Sequence, residues 1–383
     1  MRAIVTGQIG MEKKPYLDAV ARFAGQQGEN LTLYHVGDMM YAEGTDVRSG
    51  RILDLPISRL NSLRRAAFKD IIAESTTAGP GATPLPNIIV NTHATFRWRH
   101  GLFAAFDYDQ IAKLQPDIFI CLVDNIEVVH HRLHREHDID ATLKDCMVWR
   151  EEEILATELL SKSIPGSQFY IMARGRHNLT TRTLFRLVCR PKMKKVYPSF
   201  PMSHVMDMPD VLAEIDRFRA ALADHFITFD PGDVDEKLLL DRGIAAAREG
   251  KEFLDVAPHT FGGSKAAPGG DPIRVRIREI LDIAGDVDGQ IYMRDFKLVD
   301  QSDMIVSYIP ELPGGIPGLS SGVERELHHA FEHTKEVFVV WKPKKPPSPF
   351  ITETATRIFK SVDEALTYFE QNGYFTAKNL FGN

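Results

Sequence analysis

Ala3-Ile4-Val5-Thr6-Gly7-Gln8-Ile9-Gly10-Met11-Glu12-Lys13-Lys14-Pro15 reads as a short apolar strand, a glycine-containing turn and the start of a helix. That step is where a phosphate-binding loop sits in an α/β protein. The full pattern is GxxxxGK[ST]: glycines let backbone N–H groups close on phosphate, the lysine reaches the β/γ oxygens and the hydroxyl holds Mg²⁺. Gly7, Gly10, Lys13 and Lys14 are therefore candidate nucleotide-binding residues of a degenerate loop. Glu12 stands where the second glycine belongs, and Lys14 replaces the magnesium-binding hydroxyl. A carboxylate at that place repels phosphate, and its Cβ crowds the loop.

Outward from this loop, β-rich runs alternate with helical ones. AIVTG, LTLYHVG, NIIVNTHA, DIFICLVD and QFYIMA are strand candidates, and 16–26, 58–74 and 149–163 are helix candidates. Such alternation predicts a parallel sheet covered on both faces. After the basic stretch RLVCRPKMKK the pattern restarts: VYPSF as a new first strand, 209–224 as its helix, then HFITFD, MIVSYI and VFVVW as strands. The expectation is two doubly wound α/β domains, 1–192 and 193–383. A Gly/Pro/Ala-rich stretch, VAPHTFGGSKAAPGGD, reads as a long loop of the kind that serves as a lid or as a passive insertion. KPKKPPSP reads as a connector.

The chain has 383 residues, 44% hydrophobic and 26% charged, with a net charge of −6. This is globular composition with no basic excess, so nucleic acid is not an expected partner. Cys121, Cys146 and Cys189 form no CxxC pair, which points away from disulfides and thiolate zinc. The first residues read as a buried strand rather than a secretory leader, and no run reaches the ~18 apolar residues of a membrane span. A cytoplasmic protein is expected, without membrane attachment.

Several segments of the first half occur in the order found in the archaeal-type adenylate kinase family. VTGQIGMEKK resembles its phosphate loop, HVGDMMYAEG its second-strand segment, IIVNTHATFRWRHG its third strand end, and QPDIFICLVDNIEVVHHRLHREHDID the strand leading to its lid. The resemblance implies a P-loop kinase-like fold. That family usually carries an acid just before THA, where this chain has Asn91. Glycine, hydroxyl and acid are all lost, which implies a domain without kinase activity that either still binds a nucleotide or only supports the other half. His130, His131, His134 and His137 read as a solvated lid helix rather than a metal site, because Arg132 and Arg135 among them repel a cation.

In the second half the informative residues are Asp295, Asp303 and the run Ser320-Ser321-Gly322-Val323-Glu324-Arg325-Glu326-Leu327. The strand MIVSYI ends just before the run, where ligands of parallel sheets bind and a helix N-terminus favours anions. Ser321-x-x-Glu324 reads as a capping box, which gives Glu324 a structural task. Glu326 lies roughly 200° further round the helix and is the candidate for chemistry. A carboxylate beside an anomeric carbon stabilises or captures an oxocarbenium-like centre, and a second acid protonates or holds the leaving base. Glu326 and Asp295 are the candidate catalytic pair.

This half resembles the nucleoside 2-deoxyribosyltransferase family, over KKVYPSFPMSH, Asp303 in D-x-x and Gly322 to Leu327 in G-x-x-x-E-L. The resemblance implies a flavodoxin-like fold, Glu326 as nucleophile and Asp295 as the group contacting the base. It also implies a homo-oligomer and a small nucleoside or nucleotide substrate, with no cofactor or metal required. Ser320 replaces an aspartate of the transferase branch. With Ser321, and with Ser199 and Ser203 on the first substrate loop, it resembles the branch that hydrolyses nucleoside 5′-monophosphates; ordinary turn and capping duty is the alternative for these serines. Phe200, Tyr197 and Met202 are candidates for stacking on the base or for core packing, and Arg294 for an anion partner or plain surface. His328 and His329 read as helix surface. The expected function is cleavage of an N-glycosidic bond. The alternatives are a nucleotide kinase, a non-catalytic nucleotide sensor and an NAD-type dinucleotide glycohydrolase.

Overall fold

The computed structural model describes residues 1–44, 52–76, 87–98, 101–175, 177–202, 205–256 and 272–375. The chain divides into two compact units. The first comprises Met1–Asp124, Arg132–Ala141 and Asp145–Arg190; the second comprises Asn125–His131, Thr142–Lys144 and Pro191–Asn383. Among the described residues, no helix is long and apolar enough to cross a membrane.

The first half of the chain runs β1 (Arg2–Thr6), α1 (Lys13–Gln26), β2 (Leu31–His35), α2 (Val36–Glu43), α3 (Ile57–Thr76) and β3 (Asn87–Asn91). It continues with β4 (Thr95–Trp98), β5 (Gly101–Ala104), α4 (Tyr108–Leu114), β6 (Ile118–Val123), α5 (Ile126–His137), α6 (Leu143–Lys162), β7 (Gln168–Ala173) and α7 (His177–Cys189). Its five-stranded sheet has the order β2-β3-β1-β6-β7, and every pairing is parallel. The run Ile118–Val123 is buried at every position, as a central strand covered on both faces must be. Ile4, Val90 and Phe119 from the sheet meet Phe68, Ile71 and Leu160 from the helices in one core. Antiparallel β4 and β5 form a hairpin that period alone does not reveal.

The second half runs β8 (Lys195–Ser199), α8 (Pro209–His225), β9 (Ile227–Thr228), α9 (Lys237–Arg248), β10 (Phe253–Val256), β11 (Ile273–Arg276), α10 (Ile277–Asp282) and α11 (Ala284–Asp300). Then come β12 (Met304–Ile309), β13 (Glu311–Leu312), β14 (Ile316–Pro317), α12 (Ser321–Glu332), β15 (Glu336–Trp341), α13 (Pro349–Thr352), β16 (Arg357–Phe359) and α14 (Val362–Gln371). The main sheet is parallel, in the order β16-β15-β12-β8-β9. Counted from its first strand, that order is 2-1-3-4-5, reversing direction between β8 and β12. Such a reversal opens a crevice beyond the strands' carboxyl ends. HFITFD yields only a two-residue strand, and β10, β11 and β16 add pairings that short segments do not announce. The long loop expected over 256–271 lies, after Val256, outside the described residues.

Period-two alternation sorts the sheet of the second unit into two faces. Val196, Met304, Val306, Tyr308, Phe338 and Val340 pack against Ile215, Phe218 and Leu222 of α8 and Phe369 of α14. Tyr197, Ser199, Ile305 and Ser307 fall on the opposite face, where α11 packs on β8 and α12 on β12 and β15. One strand thus sends oily side chains to one core and hydroxyls to the other side.

Candidate active site and phosphate loop

On the hydroxyl face of the second sheet, Glu326 of α12 reaches back to β8. The Tyr197 hydroxyl donates to its Oε1 at 2.9 Å, and the Ser199 hydroxyl to its Oε2 at 2.6 Å. Both donors are fully buried and two residues apart, so the strand's own repeat sets them side by side. Glu326 itself is half-buried and has no cationic partner among the described residues. Burial pushes its carboxyl up to about 7, while the Ser199 and Tyr197 hydroxyls favour the ionised form and limit that rise.

Asp295, on α11, shares this enclosure. Burial raises its carboxyl well above the usual range; Arg294 opposes that rise, and the charges of Glu326, Asp235 and Glu236 add to it. The charge of one carboxyl raises the cost of ionising the other. The phenol of Tyr197 is likewise raised, by burial and then by Asp295 and Glu326. Asp295 is thus driven toward its protonated form, and Glu326 is held by two hydroxyls.

Several sequence expectations change here. Ser199 and Tyr197 are partners of Glu326, rather than a phosphate contact and a stacking ring. Phe200 is buried in the core, 5.3 Å beneath the Arg219 guanidinium, and offers no face to a base. Met202 packs against the same core from its edge. Asp303 sits at the amino end of β12 and accepts from the Lys195 backbone N–H at 2.8 Å, whereas Glu326 meets Ser199 at the carboxyl end of β8. Arg294 is buried rather than exposed, its guanidinium 3.2 Å from Glu236.

The expected Ser321–Glu324 capping box is not formed, because the cap is one residue earlier and Val323 takes the third helical position. Ser320 is the cap and accepts from the Val323 N–H at 3.2 Å, while Glu324 is exposed. Ser320 is thus spoken for, and Ser321 and Gly322 are exposed in the first turn. Ser203 lies outside the described residues. The buried partners of Arg294 were missed because Glu236 is distant in sequence and carries no motif.

The degenerate loop of the first unit keeps a glycine-demanding backbone without all its glycines. Gly7 has φ +147, and a Cβ there would meet the Leu122 carbonyl at 2.9 Å. Gly10 has φ 82, and Glu12 is forced to φ 45, left-handed territory that favours glycine. The Glu12 carboxylate is held by Arg174 at 3.1 Å and Arg132 at 3.5 Å. Lys13 is buried, which pulls its ammonium down to about 8, and it donates to the Gly7 carbonyl at 2.7 Å and contacts His93. Lys14 is paired with Asp38 on the surface.

Buried Glu153 of α6 staples this loop. It accepts from the N–H groups of Gly7 at 3.1 Å, Ala94 at 2.8 Å and Thr95 at 2.8 Å. No motif flags it. Asn91 lies 3.0 Å from the His35 ring. His130 is buried rather than solvated, so the histidine run does not form one exposed stripe. Among the described residues, the one group of ligand-type side chains gathered within metal-binding range is Asp300, His329 and His333.

Comparison with known proteins bears on the first unit. A family described as an AAA domain matches residues 7–145. Shikimate kinase from Bacteroides thetaiotaomicron is 14% identical, with 49% of this chain and 95% of that chain covered and a TM-score of 0.32. Phosphoglycerate kinase from Coxiella burnetii is 12% identical, with 96% and 92% covered and a TM-score of 0.18. Both scores are too low to establish a shared fold. No curated protein matches. The family match, the parallel sheet and the Gly7–Lys14 turn together make the first unit a P-loop kinase-like domain.

Proposed function

We propose that the second unit cleaves the N-glycosidic bond of a nucleoside or nucleotide, with Glu326 as nucleophile and Asp295 as acid. The reading rests on one observation: a carboxylate held, among the described residues, by two buried hydroxyls, at the reversal of a 2-1-3-4-5 sheet, beside a second carboxyl driven toward its protonated form. The 2-1-3-4-5 order agrees with the flavodoxin-like fold that the resemblance implies, in which ligands bind at such a reversal. The two functional domains are taken as 1–192 and 193–383.

In the reaction, the Glu326 carboxylate bonds to the anomeric carbon as the carbon–nitrogen bond breaks. Its electron pair leaves with the base, and the Asp295 proton neutralises the departing nitrogen. Water then opens the glycosyl ester and gives its proton to Asp295, restoring both groups. A second base in place of water makes the same sequence a transfer. Ser321 at the α12 N-terminus is the proposed contact for a 5′-phosphate. The chemistry needs no metal, and a homo-oligomer in the cytoplasm is part of the same proposal.

A second reading, a nucleotide kinase, is favoured by the family match over residues 7–145. Against it stand Glu12 in the loop, Lys14 in place of a hydroxyl and Asn91 in place of an acid. Incubating the full chain with a panel of nucleotides, with and without ATP, separates the readings by chromatography. Released base that disappears in Glu326→Ala supports cleavage, and diphosphate product supports the kinase. A ligand bound but unchanged identifies a sensor, and release of nicotinamide from NAD a dinucleotide glycohydrolase.

A further inference from the structure

The carboxyl ends of α11 and α12 bring three ligand-type side chains together. Asp300 closes α11, and His329 and His333 stand four residues apart at the end of α12. One ligand atom from each falls within 4.8 Å of the others. His329 Nε2 lies 2.7 Å from Asp300 Oδ1. His333 Nδ1 lies 2.8 Å from the His329 carbonyl oxygen. A carbonyl only accepts, so that nitrogen carries the proton and Nε2 keeps its lone pair for a ligand bond. The same contact sets the ring beside its neighbour, with centroids 4.1 Å apart.

We propose that Asp300, His329 and His333 bind one divalent transition cation of the zinc class. Two imidazoles and a carboxylate suit zinc, nickel or copper, whereas magnesium and calcium prefer all-oxygen sets. Zinc bonds to such ligands at about 2.0–2.2 Å, which sets tetrahedral neighbours about 3.3 Å apart. The 2.7 Å pair opens a little and the others close, by rotation of the exposed Asp300 carboxylate and a tilt of the His333 ring about its Nδ1 contact. That exposure leaves the fourth position to water. The Lys335 ammonium faces the same place and opposes the cation, but it is tied to the carbonyls of Asp300 at 2.9 Å and Ser302 at 2.5 Å. A bound ion clips together the two helices that carry Asp295 and Glu326, independently of what those residues catalyse.

The test is competition between tag-free full-length protein and a chromophoric zinc indicator, using Zn²⁺ alone as probe. Wild type is expected to hold one equivalent that raises the thermal midpoint. His333→Ala and Asp300→Asn are each expected to weaken that equivalent by roughly tenfold or more. His328→Ala, on the same helix but paired with Glu332, keeps wild-type affinity. Both ligand variants alter exposed positions, and far-ultraviolet dichroism verifies their folding. Unchanged affinity in either variant, or a wild type no tighter than the His329→Ala/His333→Ala double variant, overturns the proposal.

Discussion

The Ser199 hydroxyl donates to Glu326 at 2.6 Å across 127 residues of sequence, and Tyr197 donates to the other oxygen of the same carboxylate. A strand thereby supplies two rigid donors to a group on a helix. Rigid donors favour the ionised carboxylate against a burial that disfavours it, so the group is poised rather than fixed in one state.

Removing either donor tests that balance. Tyr197→Phe and Ser199→Ala each delete one hydrogen bond to a charged group, of about 1.5–3 kcal/mol. The ionised form loses that support, so the rising limb of the kcat/KM–pH profile moves to higher pH. Activity at neutral pH falls by about ten- to a hundredfold. A loss of activity with an unmoved profile would show that the hydroxyls serve packing alone.

Stability against pH follows from the same group. Its folded carboxyl titrates at about 7, above the ordinary 4.5, so between those values the folded chain binds more protons than the unfolded one. Stability from this group is full below 4.5 and is lost as pH rises toward 7. Glu326→Gln stays neutral throughout. It is expected to lose glycosidic activity yet to unfold at a higher urea concentration than wild type at pH 8, with the gap closing at pH 4.5. Equal midpoints at pH 8 would contradict the raised titration.

Ser320 separates capping from substrate binding. Its hydroxyl satisfies the Val323 N–H, so Ser320→Ala costs about 1 kcal/mol of stability. The preference for a nucleoside 5′-monophosphate over the free nucleoside stays as in wild type, since the hydroxyl is already engaged. Comparing urea midpoints and KM for the two substrates checks both halves of the expectation.

The sheets were legible because central strands are written as unbroken apolar runs, such as Ile118–Val123 and Met304–Ile309. The short pairings were not, since two or three residues at β9 or β16 carry no period. Glu326 was singled out by its motif and its place near a helix start. Its donors were readable only as residues of one strand face, because nothing in the chain says which helix covers β8. Arg294 shows the same gap. Charge predicts exposure, but Glu236 gives it a buried partner that only the fold brings near. Glu153 likewise carries no sequence signal, although it holds three backbone N–H groups around the phosphate loop.

Glu12 joins two opposed effects at one position. Its φ of 45 is a conformation that costs a side-chain-bearing residue about 1–2 kcal/mol and glycine almost nothing. Its carboxylate is also held by the largely buried guanidiniums of Arg132 and Arg174, and deleting it leaves the two cations sharing the Asp124 carboxylate. Glu12→Gly therefore relaxes the backbone while exposing unneutralised positive charge in a loop built to face phosphate. Calorimetric titration with ATP is expected to show at least tenfold tighter binding than wild type, steeply weakened by salt. Thermal stability without nucleotide changes little, because the relieved strain and the lost ion pairs oppose each other. Unchanged ATP affinity would mean that Glu12 is not what keeps phosphate out.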